Sequence, residues 1–126
     1  MLTVRYENCA DAQKIYMAIG LDETAEGTNF VMYDEQTPVA VWRMRVLFED
    51  EPIGLIERVA FADGVDIKDK LFFVHTVFFK LIDGAPLRLR FNGVRPELER
   101  FGFSAQNGNM EIISKNIDLH YMCGGK

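Results

Sequence analysis

Apolar and polar residues alternate at the start of the chain, where Leu2, Val4 and Tyr6 of LTVRYE share one face, and a period of two predicts a short strand. The period then lengthens. NCADAQKIYMAIG carries Ile15, Met17, Ala18 and Ile19 on a predicted helix, with Asn8 suited to cap its start and Gly20 to end it. LDETAEGT is polar and predicts a loop. NFVMY and VAVWRMRVLF predict two strands joined by DEQTP, where Asp34 to Pro38 hold tight-turn residues. In the second strand Ala40, Trp42, Met44, Val46 and Phe48 form one row, and Val39, Val41, Arg43, Arg45 and Leu47 the other. One row is apolar throughout and the other is partly charged, which predicts a sheet covered unevenly on its two faces.

EDEP predicts another turn and IGLIERVAF another strand. A polar loop, GVDIKDK, leads into LFFVHTVFFKLID, where Leu71, Val74, Phe78, Leu81 and Ile82 lie along one side of a helix. Phe72, Phe73, Val77 and Phe79 widen that surface well beyond an amphipathic stripe, so the helix is expected to be central and covered on most sides. DGAP closes it and LRLRF is the next strand. RPELERFGF predicts a short helix with Pro96 in its first turn and Gly102 at its end. SAQNGNMEIISKN and IDLHYM fit two final strands, with a turn at Asn107-Gly108.

The order β-α-β-β-β-α-β-α-β-β has three strands in succession joined by tight turns, which points to antiparallel pairing. The strand–helix–strand unit from Ile53 to Phe91 points to one parallel crossover. The expected class is α/β, an α+β mixed central sheet with helices on both faces, as one domain over residues 1–126.

Composition narrows the function classes. A chain of 126 residues with 48% hydrophobic and 26% charged residues is a normal globular balance and can bury one core. No apolar run approaches the roughly 18 residues of a membrane span, and the first residues lack the regions of a signal peptide, so a cytoplasmic protein with no membrane partner is expected. The net charge of −5 argues against a nucleic-acid partner, which selects a basic face. The alternating arginines of LRLRF read as a strand's solvated face. Cys9 and Cys123 form no paired motif, and His75 and His120 no ligand pair, so neither a disulfide framework nor a metal is expected. The apolar rows RVLF, LFFVHTVFF and EIIS suit a homodimer, without indicating which edge pairs.

GLIERVAF followed by a loop and a helix, together with RPELERFGF ending in Gly102-Phe103, resembles the GNAT acyltransferases, which move an acetyl group from acetyl-CoA to an amine. The resemblance runs from about Phe30 to Met110 and implies a GNAT-like fold. It also implies CoA or acetyl-CoA as cofactor, with the backbone near Ala60 and Phe61 meeting the pantetheine arm. Glu57 stands at the position of the family's general base. The family's pyrophosphate loop, of the type Gln/Arg-x-x-Gly-x-Gly/Ala, is altered here: Val65 replaces its first residue, and Lys68 and Lys70 its glycines. Glycine lets bare backbone N–H groups approach a phosphate, whereas a lysine brings charge together with bulk. Leu98 stands where the family often has a tyrosine that protonates the leaving thiolate, and leucine has no proton to give. The family's two helices after the first strand are here one helix and the loop Leu21 to Thr28.

Three readings follow. One is a GNAT-fold protein with a degenerate CoA loop, weak or inactive in catalysis, that binds a small molecule or a protein as a regulatory domain. Another is an active acetyl-CoA-dependent N-acetyltransferase with Glu57 as base and Lys68 and Lys70 as phosphate ligands. The last is an unrelated α+β ligand-binding domain. For Glu57 the alternative is a strand carboxylate facing solvent or paired with Arg58 or Arg45. For the loop it is Asp63 or Asp66 capping the helix while the lysines are solvated.

Overall fold

The computed structural model describes residues 1–94 and 96–117. Among the described residues seven strands form one sheet: β1 (Leu2–Glu7), β2 (Thr28–Asp34), β3 (Thr37–Phe48), β4 (Pro52–Phe61), β5 (Arg88–Phe91), β6 (Ser104–Gln106) and β7 (Asn109–Ile113). Helix α1 (Cys9–Ala18) follows β1, and α2 (Ile67–Ile82) joins β4 to β5. The sheet order is β1-β2-β3-β4-β5-β7-β6. The β4–β5 pair is parallel and the others antiparallel. The mixed sheet and its crossover follow the predicted order. RPELERFGF forms a 3-10 helix, Pro96–Phe101, rather than an α-helix. The strand expected through Asn116 ends at Ile113, and Ser114–Asn116 turn as 3-10. IDLHYM lies almost entirely outside the described residues, as do His120, Tyr121 and Cys123.

The two faces of the sheet are built differently. Ala40, Trp42 and Met44 of β3 point at α2, where Trp42 meets Phe73, Phe78 and Phe91 edge-on at 6.4, 5.5 and 6.1 Å between ring centroids. Val31, Tyr33 and Val41 point the other way and pack on Ala12 and Tyr16 of α1. Helices therefore cover both faces, but α1 covers only the part near β2 and β3.

Two expectations about apolar rows fail in an instructive way. Val46 and Phe48 continue the Trp42 row yet are 43% and 84% exposed, because β3 runs on past the core that α2 covers. Helix α2 is not covered on most sides: it buries Phe73, Val77 and Phe78, while Leu71, Phe72 and Phe79 are exposed. Its apolar width reflects two faces, of which the sheet takes one. The arginines of LRLRF are also more than a solvated row. Arg88 pairs with Glu51 and Glu111, and Arg90 with Glu49 and Glu111. No helix among the described residues is long and apolar enough to cross a membrane.

Candidate functional site

The parallel ladder between β4 and β5 is short. It runs from Ile53 opposite Arg88 to Ile56 opposite Phe91, where β5 ends, while β4 continues to Phe61. At the same point β4 slips against β3: Arg43 is opposite Arg58 and Met44 opposite Ile56, leaving Glu57 as the extra residue of a bulge. A bulge bends its strand and re-aims side chains. Here a notch of about 50 Å³ opens where the strands part, lined by Ile56, Glu57, Arg58, Val59, Phe91 and Asn92.

Glu57 does not stand free in this notch. Its Oε2 accepts a hydrogen bond from Arg45 Nε at 2.9 Å, and its Oε1 lies 3.5 Å from Arg43 Nε. Arg43 is nearly buried, and its Nη1 donates to Glu23 Oε1 and to the Thr24 carbonyl, both at 2.7 Å. Arg58 Nε reaches the other Glu23 oxygen at 3.3 Å. The loop that holds Glu23 is clamped by Gln13 of α1, which donates to the Glu23 carbonyl and accepts from Ala25 N–H, each at 3.0 Å. Tyr16 lies under this network. Its hydroxyl donates to Asn29 Oδ1 at 2.6 Å, and Arg43 sits over its ring. Burial raises the Tyr16 phenol above its ordinary pKa, against the pull of the Arg43 charge. Arg43 is itself raised: burial opposes its charge, but Glu23 and Tyr16 outweigh that.

Loop 62–66 turns from β4 into α2. Ala62 N–H is held by the Val39 carbonyl at 2.9 Å, and Gly64 takes φ +86, a left-handed conformation that suits a residue without Cβ. The start of α2 is closed from within the chain. Asp66 is the N-cap, and its Oδ1 accepts from Asp69 N–H at 2.9 Å. A cleft of about 210 Å³ beside the loop is lined by Leu2, Asp34, Val39, Asp63, Gly64, Val65 and Asp69.

The residues singled out in the sequence are thus distributed over two places. Glu57 lines the notch with its carboxylate spanned by two arginines. Phe61 stacks edge-on with Phe73 at 5.9 Å, and Lys70 places Nζ 5.3 Å from the Phe61 ring centre instead of over the helix start. Lys68 is exposed on the first turn of α2, and Val65 is half-buried against the core. Ala60 packs partly against the α1 cluster. Leu98 is a core residue, packed with Phe101 and Phe103. Cys9 is exposed at the first turn of α1, with Sγ 3.4 Å from the Gly27 carbonyl.

Arg43, Glu23, Tyr16 and Asn29 were not singled out. The only signal for them was an arginine in the inner half of β3, between Val41 and Met44, where a charge needs a partner. Neither the bulge nor the loop that brings Glu23 across has a pattern in the chain.

Solved structures align with the chain over nearly its whole length at low identity. The AtaT–AtaR complex bound to DNA matches with TM-score 0.63 and 9% identity, covering 94% of this chain and 99% of that one. The GNAT family N-acetyltransferase YhbS from Escherichia coli, in complex with CoA, matches with TM-score 0.61 and 14% identity over 98% and 93% of the two chains. A GNAT family acetyltransferase from Brucella melitensis, in complex with acetyl-CoA, matches with TM-score 0.53 and 15% identity over 90% and 88%. No family model matches the chain, and no curated protein matches it in sequence. The fold is that of the GNAT acetyltransferases among these structures.

Proposed function

We propose that this chain is a GNAT-fold protein whose coenzyme cradle no longer serves CoA well, and that it acts as a small-ligand or protein-binding, regulatory domain with weak or no acyltransferase activity. The observation that carries this reading is the Asp66 carboxylate on Asp69 N–H. A pyrophosphate at a helix start is held by N–H groups of the loop and first turn. Here one of those donors already has an anion of the chain's own. The adjoining cleft adds Asp34, Asp63 and Asp69, so a diphosphate entering it would meet like charge on several sides. Lys70, the cation best placed to offset them, is turned onto Phe61.

The same geometry weakens Glu57 as a base. Its carboxylate is spanned by Arg45 and Arg43, so neither oxygen stands free toward an acceptor amine. The alternative, an active N-acetyltransferase, draws on a different observation: the backbone of β4 from Glu57 to Phe61 runs on beyond the end of β5, which leaves an edge for an extended amide-bearing arm beside Ala60 and Phe61. Three requirements of that chemistry are nevertheless unmet in this chain: a free base, a proton donor at Leu98 and a bare loop.

Thermal stability with added ligand separates the two. A ligand present at 100 times its dissociation constant adds about 2.7 kcal/mol to the folded state. The expected result is no shift with CoA or acetyl-CoA at millimolar concentration. A clear shift with either, weakened by Lys68→Ala and Lys70→Ala, overturns the proposal in favour of the active enzyme. In a triple variant Asp63→Asn, Asp66→Asn, Asp69→Asn, CoA affinity should rise at least about tenfold if like charge is what excludes it.

A further inference from the structure

Helix α2 has a second face, bearing two phenylalanines among polar residues, that the sheet does not use. At about 100° per residue, Phe73, Val77 and Phe78 are centred on the sheet, and the opposite side carries Lys68, Phe72, His75, Thr76, Phe79 and Asp83 within an arc of about 100°. Phe72 is 41% and Phe79 61% exposed, and Lys68 and Asp83 are exposed as well. Phe73, Phe78 and Phe61 form ring pairs within the chain, but among the described residues none of the ring pairs includes Phe72 or Phe79. Positions 68, 72, 75 and 79 follow the four–three spacing of a helix-pairing seam.

The order of chemistry along this stripe is self-complementary. A cation stands near its N-terminal end, an anion at the residue that caps its C-terminal end, and a phenylalanine lies inside each. Asp83 keeps helical backbone angles, φ −71 and ψ −14, so it continues the same face. A two-fold axis across the helix between His75 and Thr76 brings Lys68 of one copy beside Asp83 of the other. It also sets Phe72 against Phe79, and each pairing occurs twice. Parallel packing would instead place lysine against lysine and aspartate against aspartate, so the charges select the antiparallel arrangement.

We infer that α2 is the contact face of an antiparallel homodimer, with Phe72 and Phe79 of each copy packed against Phe79 and Phe72 of the other and a Lys68–Asp83 ion pair at each end. A single helix pair buries less than the ~1,600 Å² of a standard interface, so the dimer is weak and depends on protein concentration. The inference does not require CoA binding: Phe72 and Phe79 lie on the side of α2 opposite its sheet contacts, and Lys68 alone is shared with the CoA-binding alternative.

Sedimentation velocity over a concentration series, without ligand, tests it. Wild type should pass from monomer toward dimer as concentration rises, and Phe72→Ser with Phe79→Ser should remain monomeric. Because both phenylalanines are exposed, unchanged circular dichroism will show that the variant still folds. Lys68→Asp alone sets like charges together at both ends and should weaken the dimer about tenfold. Adding Asp83→Lys restores opposite charges in reversed order and should bring the affinity back to within about threefold of wild type. Both reversals suit the helix dipole, so the charge variants should fold at least as well as the parent. A wild type that stays monomeric at every concentration overturns the inference and leaves the stripe to a different protein. A dimer indifferent to the serine variant, or one that the double reversal does not restore, overturns it as well.

Discussion

The face of the sheet under α2 and the face toward α1 solve the same problem with different chemistry. Under α2, Trp42, Phe73, Phe78, Phe91, Phe101 and Phe103 interlock as rings, and contact there depends on shape and volume. Toward α1, the middle of the sheet holds Arg43 between Glu23 and Glu57, with Tyr16 and Asn29 hydrogen-bonded beneath. The first arrangement tolerates no loss of volume but is indifferent to pH. The second adds to its packed residues the requirement that each charge keep its partner. Glu57 belongs to this second face, so the residue that resembles a general base is also part of what holds Arg43 in place.

The comparison breaks most visibly through the rings. Phe78→Ala removes contacts with Trp42 at 5.5 Å, Phe101 at 5.6 Å and Phe103 at 5.8 Å. It should lower stability by about 3–5 kcal/mol in urea unfolding. A loss under 1 kcal/mol would mean that the aromatic face is loosely packed. On the charged face, Arg43→Ala leaves Glu23 and Glu57 facing each other and should cost roughly 2 kcal/mol, less than a fully buried pair because water reaches both acids. Combining Arg43→Met with Glu23→Gln and Glu57→Gln should recover part of that loss; if the triple variant is worse than Arg43→Ala, the network contributes more than pairwise attraction. Asp66→Ala removes the α2 cap and should cost about 1 kcal/mol, in an equilibrium denaturation series.

The smallest effect is a pH dependence confined to the α1 face. Tyr16 has a raised pKa, from burial first. The folded protein therefore keeps the phenol proton after the unfolded chain, with its ordinary value near 10, has released it. The Tyr16 contribution is complete below that value and is lost as pH rises through the higher folded one. Stability measured from neutral pH into this alkaline range should fall, and Tyr16→Phe should flatten the decline. An unaltered slope in Tyr16→Phe would assign it to other groups.

Much of the fold was legible because local patterns and tertiary packing agree in it. The alternation in β3, the Asn8 cap, the turn at Asn107-Gly108 and the single crossover all survive in the structure. Asp66 was one of two acids expected to cap α2, and the hydrogen bond to Asp69 selects it. The misjudged coverage of α2 has a simple origin. Periodicity counts apolar residues on a face without showing what lies opposite, so Phe72 and Phe79 look as interior as Phe73 and Phe78. Lys70 was expected in solvent or on a phosphate, and it lies on Phe61, a contact set by how loop 62–66 turns.

What the chain determines by itself is local: the order of elements, which residues of each strand share a face, the Asn8 cap of α1, and lysine rather than glycine at positions 68 and 70. These depend on φ/ψ preference, hydrogen bonding within a few residues, and side-chain period. The tertiary structure alone decided that Glu57 would be the bulged residue of β4, that Glu23 would cross from a distant loop to hold Arg43, and that the face of α2 bearing Phe72 and Phe79 would remain open. Each of these depends on strand register and on contacts between segments far apart in the chain, and a one-residue slip in register changes them all without altering any local pattern.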